Sequence, residues 1–164
     1  MKRPYNLRFC MAKAKATILY IDDDAQVRTT IAEVLAYHEY PMIVAATAED
    51  ALRLSDRQEI CLILLDINLS GENGVALMPY LRVNRPDVPV ILYTGIEHDE
   101  QQVAGFFERG AGGYVRKAEP MEELLEVIRI ALISRAPRPQ ERPAIGLGRR
   151  VQRSQQLKLQ GRAG

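Results

Sequence analysis

Short apolar runs alternate with amphipathic stretches five times between residues 17 and 134, a rhythm that predicts an α/β chain. Thr17–Ile21 reads as a first strand, and Ala25–Tyr37 carries Val27, Ile31, Val34 and Leu35 at helical spacing. Asp24 stands where a carboxylate caps the first free N–H groups of that helix. Pro41–Ala45 predicts a second, less apolar strand, and Thr47 with Asp50 three residues on resembles a capping pattern for a helix through Arg57. Ile60–Leu65 is apolar at every position, as a strand covered on both faces is, and belongs at the sheet's centre. Asn73-Gly74 breaks the chain before a helix of about three turns to Val83, ended by Asn84-Arg85-Pro86, with Pro79 marking a kink or an early stop. Val88–Tyr93 predicts the fourth strand. Glu97–Arg109 predicts a polar helix whose Gly105 costs about 1 kcal/mol relative to Ala and hints at a helix that moves. Gly110–Gly113 turns into a short strand at Tyr114–Arg116, and Pro120 opens a last helix through Ile133 with Leu124, Leu125, Ile128 and Leu132 inward. The predicted architecture is (βα)5.

In a parallel sheet wound with helices on both faces, residues just past the carboxyl ends of the strands collect in one crevice. Asp22-Asp23-Asp24, Asp66, Thr94 and Lys117 occupy such places after four of the five strands. Singly, each has an ordinary explanation: the acids as caps and turn formers, Thr94-Gly95 as a turn, Lys117 as a solvated amine. Jointly they point to a phosphoryl site built around a divalent cation. Packed carboxylates raise one another's pKa, and a nucleophilic aspartate must be ionised, so such a cluster calls for a cation to keep it charged.

On these residues the chain resembles the receiver domain of two-component response regulators over residues 17–134. The resemblance rests on Ile18–Asp24 with Arg28, on Leu64–Leu69 with Gly71 and Gly74, on Pro89–Thr94, and on Gly110–Lys117. It implies a doubly wound, flavodoxin-like (βα)5 sheet of order 2-1-3-4-5. It also implies that Asp66 is the phosphoacceptor, and that Asp22, Asp23, Asp66 and the backbone carbonyl of Asn68 hold Mg²⁺. Thr94 and Lys117 would contact the phosphoryl group, and Tyr114 would change rotamer with Thr94 as a switch. Arg28, five residues after Asp23, sets the register that makes Asp24 a cap. The implied donor is a sensor histidine kinase or a histidine phosphotransfer protein. The implied readers are a downstream protein target or a homodimer partner on the face of the fourth helix, fifth strand and fifth helix. Such a chain catalyses its own phosphorylation and dephosphorylation and is not a conventional enzyme. One departure stands out: receivers usually carry Pro after the lysine in a cis peptide, whereas this chain has Lys117-Ala118, where a cis bond costs about 2.5–4 kcal/mol.

Two other functions fit parts of the pattern. A haloacid-dehalogenase-type phosphohydrolase would use Asp22-x-Asp24, Thr94 and Lys117, but it leaves Asp66 unexplained. A receiver-fold interaction module that never accepts phosphate would not need the complete set.

Charge divides the chain more sharply than its net +1 suggests. Residues 1–16 carry five Lys or Arg and no acid, and residues 135–164 carry eight against one. The stretch between holds nine basic and twenty acidic side chains, a net of −11. Both tails are expected to be disordered, since they lack the apolar density that repays ordering entropy. Their basic charge is either solvated or in contact with an acidic partner such as nucleic acid or the domain's own acidic face. The scattered Ile145, Leu147, Val151, Leu157 and Leu159 cannot core a DNA-binding domain, so a single-domain regulator is expected. Met11 is a candidate start. Cys10 and Cys61 make no disulfide framework, His38 and His98 read as surface residues, and no run approaches the ~20 apolar residues of a bilayer span. A soluble cytoplasmic protein without membrane insertion follows as the expectation.

Overall fold

A computed structural model describes residues 17–57, 60–83 and 85–134. The expectations for the two basic tails, for Met11, for Cys10 and for Asn84 lie outside the described residues. Strands β1 (Thr17–Ile21), β2 (Met42–Ala45), β3 (Ile60–Leu65), β4 (Val90–Thr94) and β5 (Gly113–Arg116) form one parallel sheet of order β2-β1-β3-β4-β5. Helices α1 (Ala25–Tyr37), α2 (Ala48–Ser55), α3 (Met78–Leu81), α4 (Glu100–Glu108) and α5 (Met121–Ser134) cover it. The expected doubly wound (βα)5 arrangement is the observed one.

The two-residue period of each strand sorts the core into two layers. Ile18, Tyr20, Leu62, Leu64, Ile91 and Tyr93 face Ile31 and Leu35 of α1 and Leu124, Val127 and Ile128 of α5. Leu19, Ile21, Ile63, Leu65, Val90 and Leu92 face Ala51 of α2, Met78 and Leu81 of α3, and Val103 and Phe106 of α4. All six residues of β3 are buried, as a strand covered on both faces requires. Among the described residues, no helix is long and apolar enough to cross a membrane.

Helix boundaries follow the caps. The Asp24 carboxylate accepts from Gln26 N and Val27 N, and Thr47 accepts from Asp50 N, as their positions predict. The fourth helix begins at Glu100 and not Glu97, because Asp99 and Gln102 close a reciprocal capping box there. Thr94 is the last residue of β4, paired with Arg116, and not a residue past its end.

The segment after β3 departs most from expectation. Asn68–Leu69 and Glu72–Asn73 pair as a small antiparallel hairpin, with Ser70 and Gly71 at φ +48° and +85° in its turn. The expected three-turn helix is a 3-10 turn, Gly74–Leu77, running into the short α3. Pro79 lies in the first turn of α3, where its missing N–H leaves no bond unmade, and the turn before it tightens. The Lys117-Ala118 peptide is trans, with no cis bond among the described residues.

Gly105 lies inside α4 without a positive φ, and a Cβ built on it meets nothing within 4 Å. Gly105→Ala is therefore expected to raise stability by roughly 0.5–1 kcal/mol through the unfolded chain alone. Thermal denaturation of the variant checks this.

Candidate functional site

Parallel pairing brings the backbone of the site together before any side chain acts. Asp66 N donates to Ile21 O at 2.9 Å, Asp22 N to Ala45 O at 3.2 Å, and Lys117 N to Thr94 O at 2.7 Å. Ile21 is opposite Leu65, and Leu65 opposite Leu92, so the residues that follow β1 and β3 leave the sheet at one level. Arg28 Nη1 donates to Asp22 O at 2.6 Å and ties α1 to this turn, which leaves Asp24 to cap the helix.

One carboxylate oxygen from each of Asp22, Asp23 and Asp66 lies within 4.8 Å of the others. Asp22 is 0 % exposed and Asp66 5 %. Lys117 crosses from β5 and bridges both: its Nζ donates to Asp22 Oδ2 at 2.6 Å and to Asp66 Oδ2 at 2.5 Å. Asp66 Oδ1 accepts from Asn68 N at 3.1 Å. Of the residues that the spacing singled out, Asp22, Asp23, Asp66 and Lys117 thus converge, although they are separated by up to 95 positions in the chain.

Burial shapes the charges. Desolvation pushes the Asp66 carboxyl above the usual aspartate range, against the pull of Lys117 and the Asn68 N–H. Burial also works against the Lys117 ammonium, but its bonds to Asp22 and Asp66 outweigh that and hold its pKa up. Three acids against one amine leave two net negative charges, the charge of one divalent cation. The donor set is all carboxylate, without the thiolate or imidazole of a softer site, and Asn68 begins the hairpin beside it. Such hard oxygen donors fit Mg²⁺.

Asp23, the exposed member, is held by the hairpin. Ser70 N and Ser70 Oγ donate to Asp23 Oδ2 at 2.8 and 3.1 Å. The Ser70 N–H, more than its hydroxyl, lowers the Asp23 pKa. A lowered folded pKa contributes stability above the unfolded value, about 3.9, and loses it as pH falls through the folded value. Ser70→Ala removes the hydroxyl and keeps the N–H, so the Asp23 pKa rises part of the way. The stability gap between parent and variant then narrows on acidification below about pH 4. A carboxyl NMR titration with acid denaturation measures both.

Thr94 and Tyr114 are both buried, on the adjacent strands β4 and β5. Thr94 is 0 % exposed, and its Oγ1 accepts from Ile96 N at 3.2 Å, at the start of the loop to α4. Tyr114 points inward against Phe106, and burial raises its phenol pKa. His98 is not the plain surface residue expected. Its ring is half-buried, stands edge-on to Phe106 and Tyr114, and places Nδ1 3.2 Å from the Tyr114 hydroxyl. His38, by contrast, is exposed, and Cys61 is buried in β3 as a small apolar residue would be.

Three participants escaped the sequence reading: Tyr20, Ser70 and His98. Only Tyr20 left a trace there, since a residue two before Asp22 on a strand shares its face. The hairpin turn and the loop that deliver the other two carry no periodic signal.

A sequence profile described as the response regulator receiver domain matches residues 18–129. The chain is 33 % identical over 116 residues to the transcriptional regulatory protein RstA of Escherichia coli, covering 71 % of this chain and 48 % of that protein. It is 31 % identical to the nitrate/nitrite response regulator protein NarL of Escherichia coli, over 69 % of this chain and 53 % of that one. The chain therefore spans about half the length of these relatives. Among solved structures, the CheY-like receiver domain protein of Methanospirillum hungatei superposes with TM-score 0.67 at 29 % identity, over 74 % of this chain and 97 % of the other. The BeF3-activated receiver domain of Klebsiella pneumoniae RstA superposes with TM-score 0.64 at 32 % identity, over 71 % and 97 %. With the strand order, the acid cluster and these likenesses in agreement, the chain belongs to the response regulator receiver domain family.

Proposed function

We propose that Asp66 accepts a phosphoryl group from a phosphohistidine on a sensor kinase or phosphotransfer protein, and that the acyl phosphate switches a partner-binding face. The observation that carries this reading is the position of Asp66: buried, facing Asp22 and Asp23, and bonded to Lys117. Asp66 is also the residue that the dehalogenase-type alternative leaves unused.

A carboxylate oxygen of Asp66 attacks phosphorus as the P–N bond of the donor breaks, and the imidazole leaves with the electron pair and takes up a proton. Phosphoryl transfer asks for alignment and charge more than covalent help. Asp22, Asp23, Asp66 and the Asn68 carbonyl would hold Mg²⁺, which would offset the charge of the acids and of the incoming phosphoryl group. Lys117 Nζ, already on Asp66 Oδ2, exchanges that oxygen for a phosphoryl oxygen. The Thr94 hydroxyl turns from its loop toward the new charge and vacates space beside Tyr114. Tyr114 then trades its His98 contact for another rotamer, and the face of α4, β5 and α5 changes shape for a downstream protein or a second copy. This is a shift between two populated states, driven by a phosphoryl dianion with three acceptor oxygens where the carboxylate carried a single charge. A cytoplasmic location, with catalysis confined to the chain's own phosphorylation and dephosphorylation, belongs to the same reading.

Incubation with a small-molecule phosphodonor and Mg²⁺ tests it. The expected result is one added phosphoryl group by intact mass, labile to hydroxylamine and absent when the cation is chelated. Steady turnover of phosphoesters without an acyl phosphate would return the hydrolase reading, and neither reaction would leave an interaction module.

A further inference from the structure

Beneath the acids lies a phenol that the reaction above does not use. Tyr20 is 0 % exposed, and its hydroxyl donates to Asp22 Oδ2 at 2.5 Å. Strand alternation makes the contact: Tyr20 and Asp22 are two residues apart and leave β1 on the same face. Asp22 is as buried as Tyr20, and its donors are shared out between its two oxygens. Oδ1 accepts from Asp24 N at 2.9 Å, whereas Oδ2 accepts from both Tyr20 and Lys117. The Tyr93 ring supports the pair, 6.3 Å from the Tyr20 ring and 5.9 Å from Lys117 Nζ.

The two donors on Oδ2 differ in permanence. Lys117 is a flexible ammonium that the proposed transfer draws toward the phosphoryl group. Tyr20 is packed among Ile18, Leu62, Leu64 and Tyr93 and has nowhere to go. A fully buried carboxylate that loses its donor suffers a large desolvation penalty. Tyr20 is the donor that stays.

We infer that Tyr20 is a positioning residue of the phosphoryl site: its hydroxyl holds Asp22 Oδ2 in place and sets how strongly the acid pair draws a divalent cation. The inference rests on the proposed function. The phenol O–H turns its positive end toward the cluster and offsets part of the charge on Asp22. Removing it leaves the charge on Asp22 less compensated, and that cost falls hardest on the cation-free state, where Asp22 has only Lys117 and the Asp24 N–H left. The cation should then bind more tightly, not less.

The test is a Mg²⁺ titration of the full chain by NMR, comparing wild type, Tyr20→Phe, and a chain with 3-fluorotyrosine at position 20. The Asp24 amide serves as the local reporter, because it donates to Asp22 Oδ1. Tyr20→Phe should bind Mg²⁺ about fivefold more tightly and shift the Asp24 amide even without metal. Fluorotyrosine, a stronger donor of nearly the same shape, should weaken binding by about twofold; it carries the test should Tyr20→Phe fail to fold. Equal affinities across the variants, or weaker binding in Tyr20→Phe, overturn the inference and leave the proposed function standing. A wild type that takes up no Mg²⁺ overturns both.

Discussion

Asp66→Asn is expected to abolish acyl-phosphate formation while the fold survives. An amide has no anionic oxygen to attack phosphorus, and no other described carboxylate sits bonded to Lys117 at the end of a fully buried strand except Asp22, whose Oδ2 is already held by Tyr20. The fold should persist because Asn keeps an oxygen for the Asn68 N–H and removes a carboxylate that burial disfavours. Lys117 retains Asp22 as a partner, so no buried charge is stranded. Stability within about 1 kcal/mol of the parent is expected, with no added phosphoryl mass after treatment with phosphodonor and Mg²⁺. Normal phosphorylation of this variant would contradict the assignment of Asp66.

Gly74→Ala should be the most destabilising single methyl in the molecule's site region. A Cβ at this position falls 2.1 Å from Asp66 O and 3.2 Å from Ile67 O, both backbone atoms of the turn that carries Asp66. Gly74 N also donates to Ile67 O at 2.6 Å, so the two segments cannot part without breaking that bond. Backbone cannot yield as a flexible side chain can, and overpacking of this kind costs about 3 kcal/mol or more. For a domain of this size that lowers the melting temperature on the order of 10 °C. Moving the Asp66 carbonyl also moves the side chain that Lys117 and the Asn68 N–H hold, so phosphorylation should slow in whatever fraction stays folded. The contrast with Gly105→Ala, where the added methyl meets open space, isolates contact from backbone entropy. Equal melting temperatures for the two variants would refute the close approach.

Much of this was legible along the chain because its signals are local and periodic. The boundaries of β1, α1 and β3 follow directly from apolar spacing and from Asp24 as a cap. The convergence of Asp22, Asp23, Asp66 and Lys117 follows from one topological rule about strand ends. Where the reading failed, the deciding contacts were between distant segments or in irregular backbone. The hairpin at Asn68–Asn73 lies between elements and has no period, so neither it nor the Ser70 bonds to Asp23 could be read. His98 has no patterned neighbours, and only the return of the chain through β5 sets the Tyr114 hydroxyl beside it. The shortened helix after Gly74 turned on Pro79, whose presence was visible but whose outcome depended on a 3-10 turn packed against the core.

The amino-acid order by itself determined the class of fold, its element sequence and the identity of the acids and amine that would meet, because hydrophobic period and chain direction are properties of neighbouring residues. Tertiary structure alone decided which oxygen each donor takes: Tyr20 and Lys117 on Asp22 Oδ2, Ser70 on Asp23, the Asn68 N–H on Asp66 Oδ1. Those choices depend on ångström distances between segments far apart in the chain, and on how completely packing has removed water from each carboxylate.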